Sequence, residues 1–245
     1  MKKILVIGET CRDVFCYGKA ERLCPEAPAP VFNPISIVES PGMAMNVQRN
    51  IIALGTPCDI LTNPNWEQIV KTRYIHKNTN QMFIRIDVND EEFQRCDISK
   101  ARLDEYDAIV ISDYCKGYLT EEDIYDISAA HKCVFLDTKR PLDSWCDKVS
   151  FIKINEYEYE RTKKTVTKEL QKKLIVTLGS RGCEHAGKIY KVETVDIKDV
   201  TGAGDTFVGA LAVEYVKNHD IESAIKYANQ CATKVVQKRG VNIPA

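Results

Sequence analysis

Short apolar runs punctuate the chain, and between them apolar positions recur with helical spacing. Ile4-Leu5-Val6-Ile7-Gly8 is rich in β-branched residues and closed by glycine, as a central strand would be. Cys58 to Leu61, Ala108 to Ile111, Cys133 to Leu136, Phe151 to Ile154 and Leu174 to Leu178 read the same way. Val47, Ile51 and Leu54 fall at i, i+4 and i+7, so a helix is predicted over Gly42 to Gly55, with Gly55 able to close it. Thr120 to Ala130 reads as a helix with Thr120 as N-cap and acidic residues in its first turn. Further helices are predicted from about Asn155, near 202–217 and near 221–237. Residues 13–38 break this rhythm with aromatics and four of the nine prolines, which reads as an irregular excursion containing edge strands. Arg73 to Ile75 and Met82 to Val88 alternate apolar and polar residues, as half-exposed antiparallel strands do.

Strands alternating with helices predict an α/β fold whose parallel sheet is covered on both faces. The length of 245 residues suits one domain over 1–245, with excursions at about 13–38 and 72–89 standing off it as a small β lid. In such sheets ligands bind beyond the carboxyl ends of the strands. Asp13, Asp113, Asp137, Asn155, Gly179 and the segment around Gly202 follow the apolar runs and fall there.

Asp199-Val200-Thr201-Gly202-Ala203-Gly204-Asp205-Thr206-Phe207 carries the strongest chemical signal. Its glycines allow a tight turn, and an apolar helical run follows directly. The N–H groups of Gly202, Ala203, Gly204 and Asp205 then form a positive helix end suited to phosphate. A carboxylate at Asp205, beside that end, can take the proton of an attacking hydroxyl, while the amides steady the moving phosphoryl group. The bland reading is a glycine turn with a helix cap; by average composition Thr-Gly-Ala-Gly-Asp arises at roughly one start position in a million. No Gly-Lys-Ser/Thr follows, so this is not a Walker loop, and it lacks Gly-x-Gly-x-x-Gly spacing.

Composition narrows the picture. A net charge of −1 argues against a general nucleic-acid binder. Ten cysteines include no Cys-x-x-Cys pair, and several lie in apolar runs where thiols act as small hydrophobes. His76, His131, His185 and His219 show no metal-ligand spacing. Met1-Lys2-Lys3 leads directly into the first strand with no export signal, and no apolar stretch is long enough to span a bilayer. The expectation is a cytoplasmic protein with reduced thiols and no membrane partner.

The segment Asp199 to Phe207 resembles the C-terminal signature of the ribokinase/PfkB carbohydrate kinase family. The resemblance implies a ribokinase-like three-layer α/β/α sandwich that uses ATP and Mg²⁺, with a monovalent cation left open. Asp13, after the first strand, looks like the family's sugar-gripping Asp. Pro41-Gly42-Met43-Ala44-Met45-Asn46 is similar to its Gly-Gly-Ala-x-Asn helix start, placing Gly42 and Asn46 at the sugar. Asn155-Glu156-Tyr157-Glu158 matches its Asn-x-x-Glu motif, implying that Asn155 and Glu158 face Mg²⁺ and phosphate, with Glu158 reaching the metal through water. Thr177, Gly179 and Gly182 match its nucleotide-side turn, and Asn229 sits near the adenine pocket in that comparison. Arg22-Leu23-Cys24-Pro25-Glu26-Ala27-Pro28-Ala29-Pro30-Val31 is most similar to the D-glycero-D-manno-heptose-7-phosphate kinase branch, as are Asn80 to Asp87, Ser112 to Gly117 and Leu136 to Lys139. That branch phosphorylates O1 of a sugar phosphate. Arg85 and Lys116 are the cations expected at the anionic substrate, ahead of Lys139.

Three departures accompany the resemblance. Met43 replaces the second glycine of the family's pair, which is expected to narrow the sugar site or shift the backbone. The chain is shorter than typical members, with the deficit near Asn63 to Lys71. Val14 stands where heptose kinases carry an Arg, and Arg12 precedes Asp13 instead. Another small-sugar or nucleoside kinase, and a non-catalytic sugar- or nucleotide-binding regulator, remain alternatives. A homodimer through the lids is expected, because an exposed small sheet invites pairing.

Overall fold

The architecture comes from a computed structural model, which describes residues 2–91 and 93–244; Met1 lies outside the described residues. Strands β1 (Ile4–Gly8), β2 (Thr10–Lys19) and β3 (Asn33–Met43) lead into helix α1 (Ala44–Ala53). Strands β4 (Cys58–Leu61), β5 (Val70–His76), β6 (Met82–Val88) and β7 (Ala108–Asp113) precede α2 (Glu121–Ala130). Then come β8 (Val134–Thr138), β9 (Phe151–Asn155), α3 (Glu156–Thr162), α4 (Lys168–Lys173), β10 (Leu174–Thr177), β11 (Cys183–His185) and β12 (Lys188–Tyr190). Helices α5 (Ala203–Asn218) and α6 (Ile221–Val235) close the chain.

The main sheet has eight strands in the order β12-β11-β10-β9-β8-β7-β1-β4. From β4 to β10 every pairing is parallel; β11 and β12 add an antiparallel edge. Its buried strands are apolar on both faces because each face packs on helices. One core lies under α1, α5 and α6, around Val6, Val110, Phe135, Val208 and Leu211. The other lies under α2, α3 and α4, around Ile7, Ile111, Leu136, Ile152 and Ile154. The expected α/β sandwich is therefore present.

A second sheet, β3-β2-β5-β6, stands off the first. The excursion expected to be irregular is a ten-residue strand and an eleven-residue strand around a non-repetitive segment, and β2 starts at Thr10, ahead of Asp13. β5 pairs in parallel with β2 as well as antiparallel with β6, so it is an interior strand of the lid. The predicted helix from Gly42 begins only at Ala44. Gly42 and Met43 end β3, and Met43 adopts φ 58°.

Candidate active site

The N-terminus of α5 divides two cavities. One, of about 400 Å³, is walled by Gly202, Asp205, Asn46, Asp13, Met43 and lid cations. The other, of about 310 Å³, is walled by Ala203, Gly204, Thr177, Gly179, Asn229 and apolar residues of the 192–200 loop. Gly202 takes φ 78°, and a Cβ there would meet Asn46 Nδ2 at 2.8 Å. Glycine is thus needed both for the turn and for the close approach of α1. Ala203 donates to the Val200 carbonyl at 3.2 Å, so its amide, expected to be free, already has a partner. The next amides, those of Gly204 and Asp205, stand in the first turn, where a helix leaves N–H groups without intrahelical acceptors.

Asp205 is only 7% exposed. Asn46 Nδ2 donates to Oδ2 at 2.8 Å and the Tyr114 hydroxyl donates to Oδ1 at 3.0 Å. Burial pushes its pKa up to about 6, with the Asp137 charge acting the same way; Asn46, Lys153 and Tyr114 hold it down. A buried helix contact sets the geometry: Thr206 donates to Asn50 Oδ1 at 2.8 Å, and Asn50 Nδ2 donates to the Asn46 carbonyl at 2.7 Å. Tyr114 is placed from the other side. The buried carboxylate of Glu9 accepts the backbone N–H groups of Tyr114 and Lys116 at 2.9 and 3.0 Å. Burial, then the Asp113 charge, raise the Glu9 pKa above the usual carboxylate range.

Beneath the helix end lies a charged pair made of Asp137, expected at the ligand edge of the sheet, and Lys153, which was not anticipated. Lys153, 4% exposed within β9, donates to Asp137 Oδ2 at 2.8 Å. Its Nζ would be 2.8 Å from a Cβ on Gly204, so Gly204 is small because the ammonium passes beneath it. Lys139 pairs with Glu158 at 2.6 Å and lies 3.9 Å from Asp137. Burial works against its charge, but Asp137 and Glu158 prevail and raise its pKa. The site signal for Lys153 was a lysine interrupting an otherwise apolar strand.

The cavity beside Asp205 gathers the expected sugar-side residues. A Cβ on Gly42 would fall 2.1 Å from Asp13 Oδ2, so that position has no room for a side chain. Asp13 itself is held by Arg73 Nη1 at 2.5 Å. Arg85 reaches the wall while gripping Asp87 in a two-pronged contact at 2.9 and 2.8 Å. Lys116 reaches it while bonding Asp90 at 2.5 Å, and Lys71 bonds the same carboxylate. Lys71, Arg73 and Tyr114 were not anticipated. Met43 packs its side chain against Cys11 and Ile69 and lines the cavity.

On the nucleotide side the expected residues separate. Thr177, Gly179 and Asn229 line the second cavity, and Asn229 also donates to the Tyr190 carbonyl at 2.9 Å. Gly182 does not line it. Its φ of 90° and the Tyr190 carbonyl, 2.0 Å from a would-be Cβ, give it a structural reason to be glycine. Asn155 is the N-cap of α3 rather than a residue on its face, and forms a reciprocal capping box with Glu158. Asp113, also expected at the ligand edge, is fully buried and pairs with Arg140 at 2.8 Å. Among the described residues no group of three or more His, Cys, Asp or Glu could hold a metal by itself. Asp137 Oδ1 is nevertheless buried without a hydrogen-bond partner, and Glu158 lies across Lys139 from it. Two hard oxygen donors flanking the Lys139 ammonium have the chemistry of Mg²⁺ ligands.

Comparison with known proteins bears on this arrangement. Residues 59–245 match the pfkB family carbohydrate kinase family. The chain belongs to that family. Its members are phosphotransferases that use ATP and act on a sugar hydroxyl. The chain is 30% identical to the bifunctional protein HldE of Helicobacter pylori strain HPAG1 over 98% of its own length, and spans 64% of that protein's length. Two solved structures share the fold. The Methanocaldococcus jannaschii nucleoside kinase superposes with a TM-score of 0.72 at 18% identity, covering 98% of this chain and 93% of its own. The Thermotoga maritima ribokinase gives 0.74 at 17%, covering 98% and 95%. No helix of the described residues is long and apolar enough to cross a membrane.

Proposed function

We propose that this kinase transfers the γ-phosphoryl group of ATP to a hydroxyl of a sugar phosphate, with O1 of D-glycero-D-manno-heptose 7-phosphate as the acceptor. One observation carries the transfer: Asp205 opens to one cavity while Gly204 opens to the other, so an alcohol and a nucleotide phosphate meet at the start of α5. ATP occupies the cavity of Thr177, Gly179 and Asn229. The acceptor occupies the cavity of Asp13, Gly42 and Asn46, where Lys71, Arg73, Arg85 and Lys116 suit a substrate that already bears phosphate. Likeness to the HldE protein favours heptose 7-phosphate.

In the transfer, Asp205 takes the proton from the attacking hydroxyl, and Asn46 and Tyr114 fix the carboxylate's orientation. The Gly204 and Asp205 amides and the Lys153 ammonium face the phosphoryl group and stabilise its charge. Asp137 and Glu158 would hold Mg²⁺, which when bound neutralises charge on the nucleotide phosphates. The lid excludes water from the reacting groups. Its outer face leaves Ile37 at 61%, Ile84 at 54%, Ile86 at 43% and Val88 at 45% exposure, which supports a homodimer through the lids. Ten free cysteines fit a reducing cytoplasm.

The test is ADP release with Mg²⁺ across heptose, hexose and pentose phosphates, the unphosphorylated sugars and nucleosides, with and without potassium. Heptose 7-phosphate should give the highest kcat/KM, and Asp205→Asn should lower kcat by about 10² to 10⁴ with an unchanged circular dichroism spectrum. Ligand-induced thermal stabilisation without ADP release from any acceptor would make the protein a binding regulator instead.

A further inference from the structure

A third cavity, of about 490 Å³, lies on the other side of Val241 from the acceptor cavity; Val241 lines both. Three segments distant in sequence bring cations to it: Arg49 from α1, Lys77 from the turn after β5, and Arg239 after α6. Glu39 is the one acid among its lining residues, and it is already engaged with Arg12 at 3.5 Å. Arg239 donates to the carbonyls of Lys77 and Asn78, at 2.9 and 3.1 Å, and Asp199, which is not a lining residue, accepts the adjacent Gly240 N–H at 3.0 Å. On the same walls Arg49 Nη1 and Ser40 Oγ are buried with no hydrogen-bond partner among the described residues. A buried donor left unpaired is costly, and a guanidinium more so than a hydroxyl, so such atoms call for a ligand that completes them.

From this geometry we infer a second anion site, separate from the catalytic cavity, that binds the phosphomonoester of a small metabolite. Guanidinium and ammonium groups converging from three sides suit a dianionic phosphate better than a carboxylate. The volume is that of a small-molecule site, and bare phosphate would leave most of it unfilled. The ligand would join the lid turn at Lys77 to the C-terminal segment at Arg239. Those segments already touch there, and Asn80 of the same turn donates to the Lys198 carbonyl at 2.9 Å. The inference does not depend on which sugar is phosphorylated.

Isothermal titration of the full chain with inorganic phosphate and with glucose 6-phosphate tests it, in the wild type, Lys77→Gln/Arg239→Gln, Arg49→Gln and Lys116→Gln. Lys77 and Arg239 are exposed, so the double variant should keep the wild-type circular dichroism spectrum, and it carries the test even if Arg49→Gln fails to fold. The site requires that the double variant weaken binding at least about tenfold, the loss of one charge-assisted contact, while Lys116→Gln leaves that binding event in place. Tighter binding of glucose 6-phosphate than of phosphate supports the ester, and equal affinity overturns that assignment. The site itself is overturned if the wild type binds neither probe, or if Lys116→Gln abolishes all binding and the double variant changes none.

Discussion

Tyr114→Phe should move the acid limb of the kcat/KM profile to higher pH. Burial raises Asp205 from an ordinary 3.8 to about 6, a difference of about 3 kcal/mol against the ionised form. The proposed base works only as a carboxylate, so about nine-tenths of the wild type is competent at pH 7 and about a tenth at pH 5, and kcat/KM should fall about tenfold between them. Tyr114 donates to this carboxylate at 3.0 Å, and phenylalanine removes the donor while keeping the ring. A hydrogen bond to a charged group is worth about 1.5 to 3 kcal/mol, so the limb should rise by about one pH unit or more. The assay is coupled ADP release at subsaturating acceptor from pH 5 to 9. An acceptor phosphate ionises near the same pH, at about 6, but does so for both enzymes, so the difference between their profiles isolates Asp205. Superimposable profiles, or a flat wild-type profile from pH 5 to 8, would refute the reasoning. The stability effect has a definite sign. A carboxyl whose folded pKa lies above its unfolded value loses stability as pH rises from 3.8 through about 6, so Asp205→Asn should raise stability at pH 7 by up to about 3 kcal/mol.

Three further outcomes follow from the packing. Lys153→Met strands Asp137 in the core and should cost roughly 3–5 kcal/mol in denaturant unfolding; adding Asp137→Asn should restore part of that stability but none of the roughly 100-fold loss in kcat. Met43 holds φ 58°, a conformation costing of order 1–3 kcal/mol for a non-glycine residue, so Met43→Gly should exchange lost packing for relieved strain and shift stability by less than about 1 kcal/mol. Met43→Ala keeps the strain and loses the packing, and should destabilise by about 2 kcal/mol or more; equal Tm values for the two variants would contradict this. Ile84→Glu should turn the proposed dimer into a monomer by light scattering at micromolar concentration, with the fold retained.

What could be read from the chain depended on how local the constraint was. Gly202 to Asp205 stood out because one short segment carries the turn, the helix end and the acid together. The main strands were readable because burial on both faces makes them continuously apolar. The lid was harder to see: β2 places Asp13 on the cavity and Val14 on the opposite face, so its residues follow neither a buried nor a simple surface pattern. Asp113 ends β7 and Asp137 stands one residue before the end of β8, and the two look equivalent in sequence. Arg140 neutralises the first, while the second holds Lys153 and keeps one oxygen unpartnered. Tyr114 had no local signal, since its meeting with Asp205 depends on β7 lying beside β1 and on Glu9 gripping the loop backbone.

Lys153 did leave a trace that could have been read. A lysine at the centre of Phe151-Ile152-Lys153-Ile154 occupies a position that the sheet must bury, and an ammonium there is tolerable only beside a fixed negative charge. Asp137 on the neighbouring strand supplies it, in register with Lys153. The pair is a costly way to hold two strands together, because apolar residues of similar size would do so without desolvating two charges. Its position suits the proposed transfer: the ammonium lies under Gly204, beside the proposed phosphoryl site, and the partner acid adds to the burial that raises the Asp205 pKa to about 6, where the proposed base is ionised at neutral pH and still able to take a proton.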